Sequence, residues 1–190
     1  MTRFSLFLSV IALLFGMTGI VNADPIEWQI TDGGNGHFYE AVSSAVSWND
    51  ANELANGVIF NNMNGHLVTL TSEEENNWAW TNLNSIIGYF IGGTDQGVEG
   101  TWEWVTGEAW TYSNWNSNEP NDVPWLLDTG EDGLLFASNG KWNDVPITGY
   151  AEGGYIIEYE PAPVPEPATM LLFGSGLIGL AGFRRKFRKS

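Results

Sequence analysis

Thr111-Tyr112-Ser113-Asn114-Trp115, Glu119-Pro120-Asn121-Asp122, Gly130-Glu131-Asp132 and Trp142-Asn143-Asp144 succeed one another in the second half of the chain. Asp95 and Glu99 precede them, in Thr94-Asp95-Gln96-Gly97-Val98-Glu99-Gly100. Taken singly, Glu119-Pro120-Asn121-Asp122 reads as a solvated turn, because Pro, Asn and Asp all favour turns. In succession, these loops read as a calcium cage. Ca²⁺ takes about six to eight oxygen ligands, mostly carboxylates and carbonyls, in a flexible geometry. An Asn among carboxylates adds an amide NH₂, a donor they lack. Such a cage holds a metal and still exchanges hydrogen bonds with a ligand, which favours binding over catalysis.

The carboxylates also invite a comparison with a glycosidase, which needs two carboxyl groups flanking the scissile bond. Glu131 and Asp144 are the pair to consider. Carboxylates committed to a metal are not free to act as general acids. The chain has no Cys, and no Ser stands with His and Asp in the order of an activated nucleophile. The reading is therefore non-enzymatic.

Outward from the loops, the pattern alternates helix and strand signals. His37–Val42 predicts a first strand. Ser47 with Asp50 forms a capping box, and Trp48, Ala51, Ala55 and Val58 follow at helical spacing. His66–Leu70 predicts a short strand. Ser72 with Glu75 caps a second helix running to about Leu83, and Glu73-Glu74-Glu75 suits its positive N-terminus. From Tyr89 on, short aromatic strands alternate with Gly, Asn and Asp turns: Tyr89–Ile91, Trp102–Trp104, Gly133–Phe136 and Tyr155–Tyr159. Helices early and strands late make an α+β domain. Trp110 and Trp115 are assigned to the core and Trp125 to the surface. His37 and His66, beside strand starts, are assigned structural roles.

In this order the motifs resemble the C-type lectin domain over about residues 36–160. The resemblance is carried by Trp48-Asn49-Asp50-Ala51, Gly65-His66-Leu67-Val68-Thr69-Leu70-Thr71-Ser72, Phe90-Ile91-Gly92-Gly93 and the loop motifs quoted above. It implies a C-type lectin-like fold with two helices, two small antiparallel sheets and a long calcium-binding loop region. The mannose-binding type of the family further implies a principal Ca²⁺ site of Glu119, Asn121, Glu131, Asn143 and Asp144. These same residues would bind carbohydrate, with Glu119 and Glu131 accepting from sugar hydroxyls and Asn121 and Asn143 donating to them. An auxiliary Ca²⁺ site would use Asp95, Glu99, Asp122, Glu131 and Asp132, and Pro120 would follow a cis bond. A C-type lectin-like fold whose calcium is structural, acting as a protein-interaction or matrix module, is the alternative.

Two departures from the family pattern stand out. The four usual disulfide positions appear as Ala55 with Ile157 and Gly133 with Ile147, and Gly133 leaves the second pair without a packing side chain. The spacer from Asp122 to Gly130 also inserts Pro124-Trp125-Leu126-Leu127, an apolar tip beside the cage.

The ends carry different signals. Residues 1–23 have a basic start, an apolar run from Phe4 to Phe15 and small residues at Val21 and Ala23, as a secretory signal peptide does. The apolar run is short for a membrane anchor. Pro161–Pro167 reads as a Pro-rich linker, Ala168–Phe183 as a short transmembrane segment and Arg184–Lys189 as a basic cytoplasmic cap. The last part resembles a PEP-CTERM sorting signal, with Val164-Pro165-Glu166-Pro167-Ala168-Thr169, an apolar span and an Arg-rich end. This implies export from a Gram-negative bacterium, transient inner-membrane anchoring, exosortase processing near Pro165-Glu166-Pro167 and a place at the cell surface or in an exopolysaccharide biofilm matrix. A permanent anchor is the alternative.

Between Asp24 and Glu160 the one basic residue, Lys141, faces 22 Asp and Glu, a net charge near −21 against −16 for the whole chain. Phosphate binding needs a basic patch, so nucleic acid is excluded as a natural partner. Self-repulsion of this size destabilises a compact state unless cations neutralise it. With no Cys for disulfides, the fold rests on its apolar core, for which ten Trp supply large buried areas.

Overall fold

The computed structural model describes residues 24–83, 86–123, 130–148 and 153–161. Residues 1–23, read above as a signal peptide, the Trp125 insertion and the sorting tail lie outside the described residues. The strands are β1 (Ile26–Glu27), β2 (Phe38–Val42), β3 (Ile59–Phe60), β4 (Met63–Leu67), β5 (Tyr89–Thr94), β6 (Glu103–Trp104), β7 (Gly133–Phe136), β8 (Trp142–Val145) and β9 (Gly154–Glu160). The helices are α1 (Trp48–Asn56) and α2 (Glu73–Asn82).

Both helices start where their caps dictate. Ser47 Oγ accepts from the Asp50 N–H at 3.1 Å, and Ser72 Oγ accepts from the Glu75 N–H at 3.1 Å. In the first box the Ser47 hydroxyl in turn donates to Asp50 Oδ2 at 2.7 Å, side chain to side chain. The Glu75 carboxylate turns instead to Thr71, accepting from its N–H at 2.8 Å and its hydroxyl at 2.9 Å. The helix α1 apolar stripe is Trp48, Ala51 and Ala55, all buried; Val58 lies beyond the helix and is exposed.

The sheet is organised on β9. It pairs antiparallel with β2 and β4, and in parallel with β5 through Tyr89↔Gly154 and Phe90↔Tyr155. That parallel pair joins into one path, β1-β2-β9-β5-β7-β8, what the sequence presents as two small sheets. Alternation along β9 then builds two cores. Tyr155, Ile157 and Tyr159 pack with Trp48, Ala51 and Ala55 of α1. Ile156 packs with Ala79 of α2 and with Trp104, Leu134 and Trp142.

The cores also explain the missing disulfides. Ala55 and Ile157 are 0% and 2% exposed in the α1 core, where apolar packing takes the place of a bond. At Gly133 the sequence-based view needs correction, because the pair is supported by a third residue. A Cβ on Gly133 would stand 2.9 Å from the Trp48 ring and 3.2 Å from Ile147. The indole fills the gap and is anchored by its N–H donating to the Ile91 carbonyl at 2.9 Å.

Candidate calcium and carbohydrate site

The loops meet beyond the ends of β5, β7 and β8. Asp144 on β8 is their hub. It is 1% exposed, and its Oδ2 accepts from the N–H of Asn121 at 2.9 Å and of Asp122 at 2.8 Å. One carboxylate thus fixes the Glu119–Asp122 loop, and the Glu119–Pro120 bond is cis. The Asn121 amide donates to the Glu119 carboxylate. Glu131 reaches back to the same loop, accepting from the Val123 N–H at 3.1 Å. Asn143 neighbours Asp144 on the strand and donates to its main-chain carbonyl at 2.6 Å.

Three carboxyl groups are therefore gathered in one place. Burial and contact with Asp144 raise the Glu119 carboxyl above its usual range. Burial, then the charges of Asp144, Glu119 and Asp122, does the same to Glu131 despite the stabilising Val123 N–H. These are like charges crowded together, the condition a bound cation relieves. Asp144 Oδ1 is buried without a hydrogen-bond partner. A buried acceptor without a partner is costly, so an oxygen left in this state is a fitting metal ligand.

The auxiliary set also converges. A Cβ built on Gly130 would stand 2.8 Å from Asp122 Oδ1, 3.6 Å from Asp132 Oδ1 and 3.7 Å from Glu99 Oε2. Glycine leaves that point open to carboxylates from three segments. Asp95, 3% exposed, accepts from the Gly100 N–H at 2.9 Å through Oδ2, and its Oδ1 is buried with no partner. Burial pushes its carboxyl up to about 6, with Glu99 and Asp132 adding repulsion. Glu131 is tied in through its N–H, which donates to Asp122 Oδ1 at 3.1 Å. The residues named from sequence for both sites thus lie in two adjoining groups. Sequence reading missed that Asp144 holds the loop through main-chain N–H groups, for which only the structure gives a signal.

Behind the loops is an aromatic bed. Trp142 is fully buried, donates to Asn76 Oδ1 at 2.8 Å, and meets Trp104, Trp110, Tyr112 and Trp115 edge-on at centroid distances of 5.5–6.1 Å. Trp110 and Trp115 are partly buried against this core, as expected. Trp48-Asn49-Asp50, the other Trp-Asn-Asp in the chain, opens α1 and takes no part in the site.

The family model for the lectin C-type domain matches residues 44–150. The chain belongs to the C-type lectin domain family. A second family model, for the PEP-CTERM protein-sorting motif, matches residues 163–186. The chain is 32% identical over 138 residues to halomucin of Haloquadratum walsbyi, a match covering 66% of this chain and 1% of that protein. It is 32% identical over 135 residues to human C-type lectin domain family 4 member E, covering 69% of this chain and 57% of that protein. The chain therefore spans a small fraction of the first relative and little more than half of the second. Among solved structures, the cow C-type carbohydrate-recognition domain of CD23, crystallised in the presence of an oligosaccharide of GlcNAc and mannose, superposes with a TM-score of 0.58 at 26% identity. That match covers 68% of this chain and 92% of that one.

Membership of this C-type lectin family supports carbohydrate binding in general, and such domains generally bind Ca²⁺ and are typically non-enzymatic. The sorting motif implies exosortase processing and suggests export with transient sorting at the membrane. Among the described residues, no helix is long and apolar enough to cross a membrane.

Proposed function

We propose that this lectin binds carbohydrate of the mannose, glucose, N-acetylglucosamine or fucose type through Ca²⁺, as an exported bacterial surface or matrix protein. Residues 1–23 would be its cleaved signal peptide, 24–160 the lectin domain, and 161–190 the linker, membrane segment and basic tail. Glu119, Asn121, Glu131, Asn143 and Asp144 would hold the principal ion, and Asp95, Glu99, Asp122, Glu131 and Asp132 the auxiliary one. At the principal site the ion would supply direct coordination of vicinal sugar hydroxyls. Glu119 and Glu131 would accept from those hydroxyls while Asn121 and Asn143 donate to them. One observation carries this reading: each carboxylate group contains a buried oxygen without a hydrogen-bond partner, Asp144 Oδ1 in one and Asp95 Oδ1 in the other. Glycan-array binding with and without EDTA tests it. Binding that survives EDTA contradicts calcium dependence, and absence of any glycan signal favours a protein-interaction role.

Sugar choice follows from the order of acceptor and donor in Glu119-Pro120-Asn121. Glu119→Gln with Asn121→Asp reverses that order at constant total charge. Unpaired buried polar groups cost about 1–3 kcal/mol, so the double variant should bind mannose-type glycans roughly tenfold more weakly or worse. Titration with mannose in saturating Ca²⁺ reads the effect. Undiminished binding with the metal still held would remove this loop from the sugar site.

Processing gives a separate expectation. Mass spectrometry of the protein recovered from its native host should find neither residues 1–23 nor the Arg184–Lys189 tail. Recovery of intact tail peptide from the envelope would instead support a permanent anchor.

A further inference from the structure

The chain has two histidines, and the fold brings both to one patch of the sheet, away from the lectin loops. Tyr39 and His66 pair with Glu158 from opposite sides of β9. Paired residues share a face, as do residues two apart. Tyr39, Glu158, Glu160 and His66 therefore line one face, and His37 joins them just before β2. His37 Nδ1 lies 2.7 Å from Glu158 Oε1, and His66 Nε2 lies 3.3 Å from Glu160 Oε1.

We propose that His37, Glu158 and Glu160 form a site for a divalent transition metal of the Zn²⁺ class, with His66 as a positioning residue for Glu160. One ligand atom from each of the three lies within 4.8 Å of the others. An imidazole and two carboxylates are ordinary Zn²⁺ ligands, and three of them leave a fourth position open. The burial is graded as an entry path requires: the Glu158 side chain is 1% exposed, His37 23% and Glu160 33%. Outer-shell bonds orient the floor. Glu158 Oε2 accepts from the Thr69 N–H at 3.0 Å and hydroxyl at 3.1 Å, while Oε1 faces His37 and the Tyr39 hydroxyl.

His66 is set the same way. Its Nδ1 lies 2.9 Å from the Leu67 carbonyl, which only accepts, so Nδ1 carries a proton. Nε2 then faces Glu160 Oε1 at 3.3 Å, within ion-pair range, which holds that carboxylate in place. Charge points the same way. The Tyr39 hydroxyl donates to the buried Glu75 at 2.7 Å, so three carboxylates surround two imidazoles. Softer nitrogen ligands separate this site from the all-oxygen loops, which suit Ca²⁺.

The test uses the full-length chain in mild detergent, saturated with Ca²⁺ and titrated with Zn²⁺ by calorimetry and with Co²⁺ by visible absorption. One equivalent should bind. His37→Gln and Glu160→Gln should weaken uptake at least about a hundredfold, and His66→Gln about tenfold. Asp144→Asn should leave Zn²⁺ uptake unchanged. Melting of each variant without metal reports whether it folds. If His37→Gln does not, the parent loaded with Co²⁺ decides through paramagnetically shifted imidazole proton resonances. Absence of uptake, uptake indifferent to His37→Gln and Glu160→Gln, uptake lost with Asp144→Asn, or a Co²⁺ form without shifted imidazole signals would overturn the site and leave an imidazole–carboxylate network alone.

Discussion

Asp144→Asn is expected to abolish the response of this protein to calcium while leaving its metal-free form as stable as the parent or more so. The asparagine oxygen can still accept from the Asn121 and Asp122 N–H groups that Asp144 Oδ2 now holds. The loop therefore keeps its anchor. The lost negative charge relieves Glu119 and Glu131, both of which Asp144 raises. Without metal, the change is neutral or stabilising. With Ca²⁺ the sign reverses, because affinity at oxygen sites follows the number of charged ligands, and removing one should cost at least about a hundredfold. For the parent, an ion bound to the native state alone at a hundred times its dissociation constant adds about 2.7 kcal/mol. In a domain of this size that raises the melting temperature by roughly 10 °C. Melting curves of both proteins with Ca²⁺ and with chelator, at fixed ionic strength, check the pair of statements. A parent whose melting ignores millimolar Ca²⁺ ends the calcium reading, whatever the variant does.

Trp142→Ala should have the largest effect on folding. Truncating a fully buried Trp typically costs about 3–5 kcal/mol, and Asn76 Oδ1 would lose the indole donor that now reaches it at 2.8 Å. The damage would reach the site directly. The Trp142 main chain accepts from the Asn116 N–H at 2.8 Å and donates to the Asn114 carbonyl at 2.9 Å, and Asn143 and Asp144 follow it on β8. Trp142→Phe separates the contributions: it keeps most of the ring packing and removes the donor, for about 1–3 kcal/mol. Denaturant unfolding of the parent and both variants gives the comparison. An alanine variant within about 1 kcal/mol of the parent would mean that the aromatic bed does not hold the loops.

How far these features are legible in the sequence differs from element to element. Ser47 and Ser72 mark both helix starts to the residue, because a cap is a local hydrogen bond between residues three apart. The strand at Gly133–Phe136 is legible from its apolar run. By contrast β8 is hidden, since Asn and Asp are depleted in strands and Trp142-Asn143-Asp144 reads as a ligand motif first. The two-residue strands β1 and β3 are too short to leave a periodicity. Glu75 reads as a capping-box partner, yet its carboxylate is claimed by Thr71, one residue before the cap, and by the tertiary partners Tyr39 and Asn35. The ligand motifs are legible as types of chemistry, but their convergence on Asp144 and on Gly130 is a property of the folded chain. His37 and Glu158 show the limit most plainly, being 121 residues apart in sequence and 2.7 Å apart in space.

The most direct test of the account is calorimetry of the purified protein, titrated first with Ca²⁺ and then, in saturating Ca²⁺, with mannose. Heat from Ca²⁺ binding is expected, followed by mannose binding that disappears when EDTA removes the metal. Mannose binding that persists in EDTA, or a protein that takes up no Ca²⁺ at millimolar concentration, would contradict it.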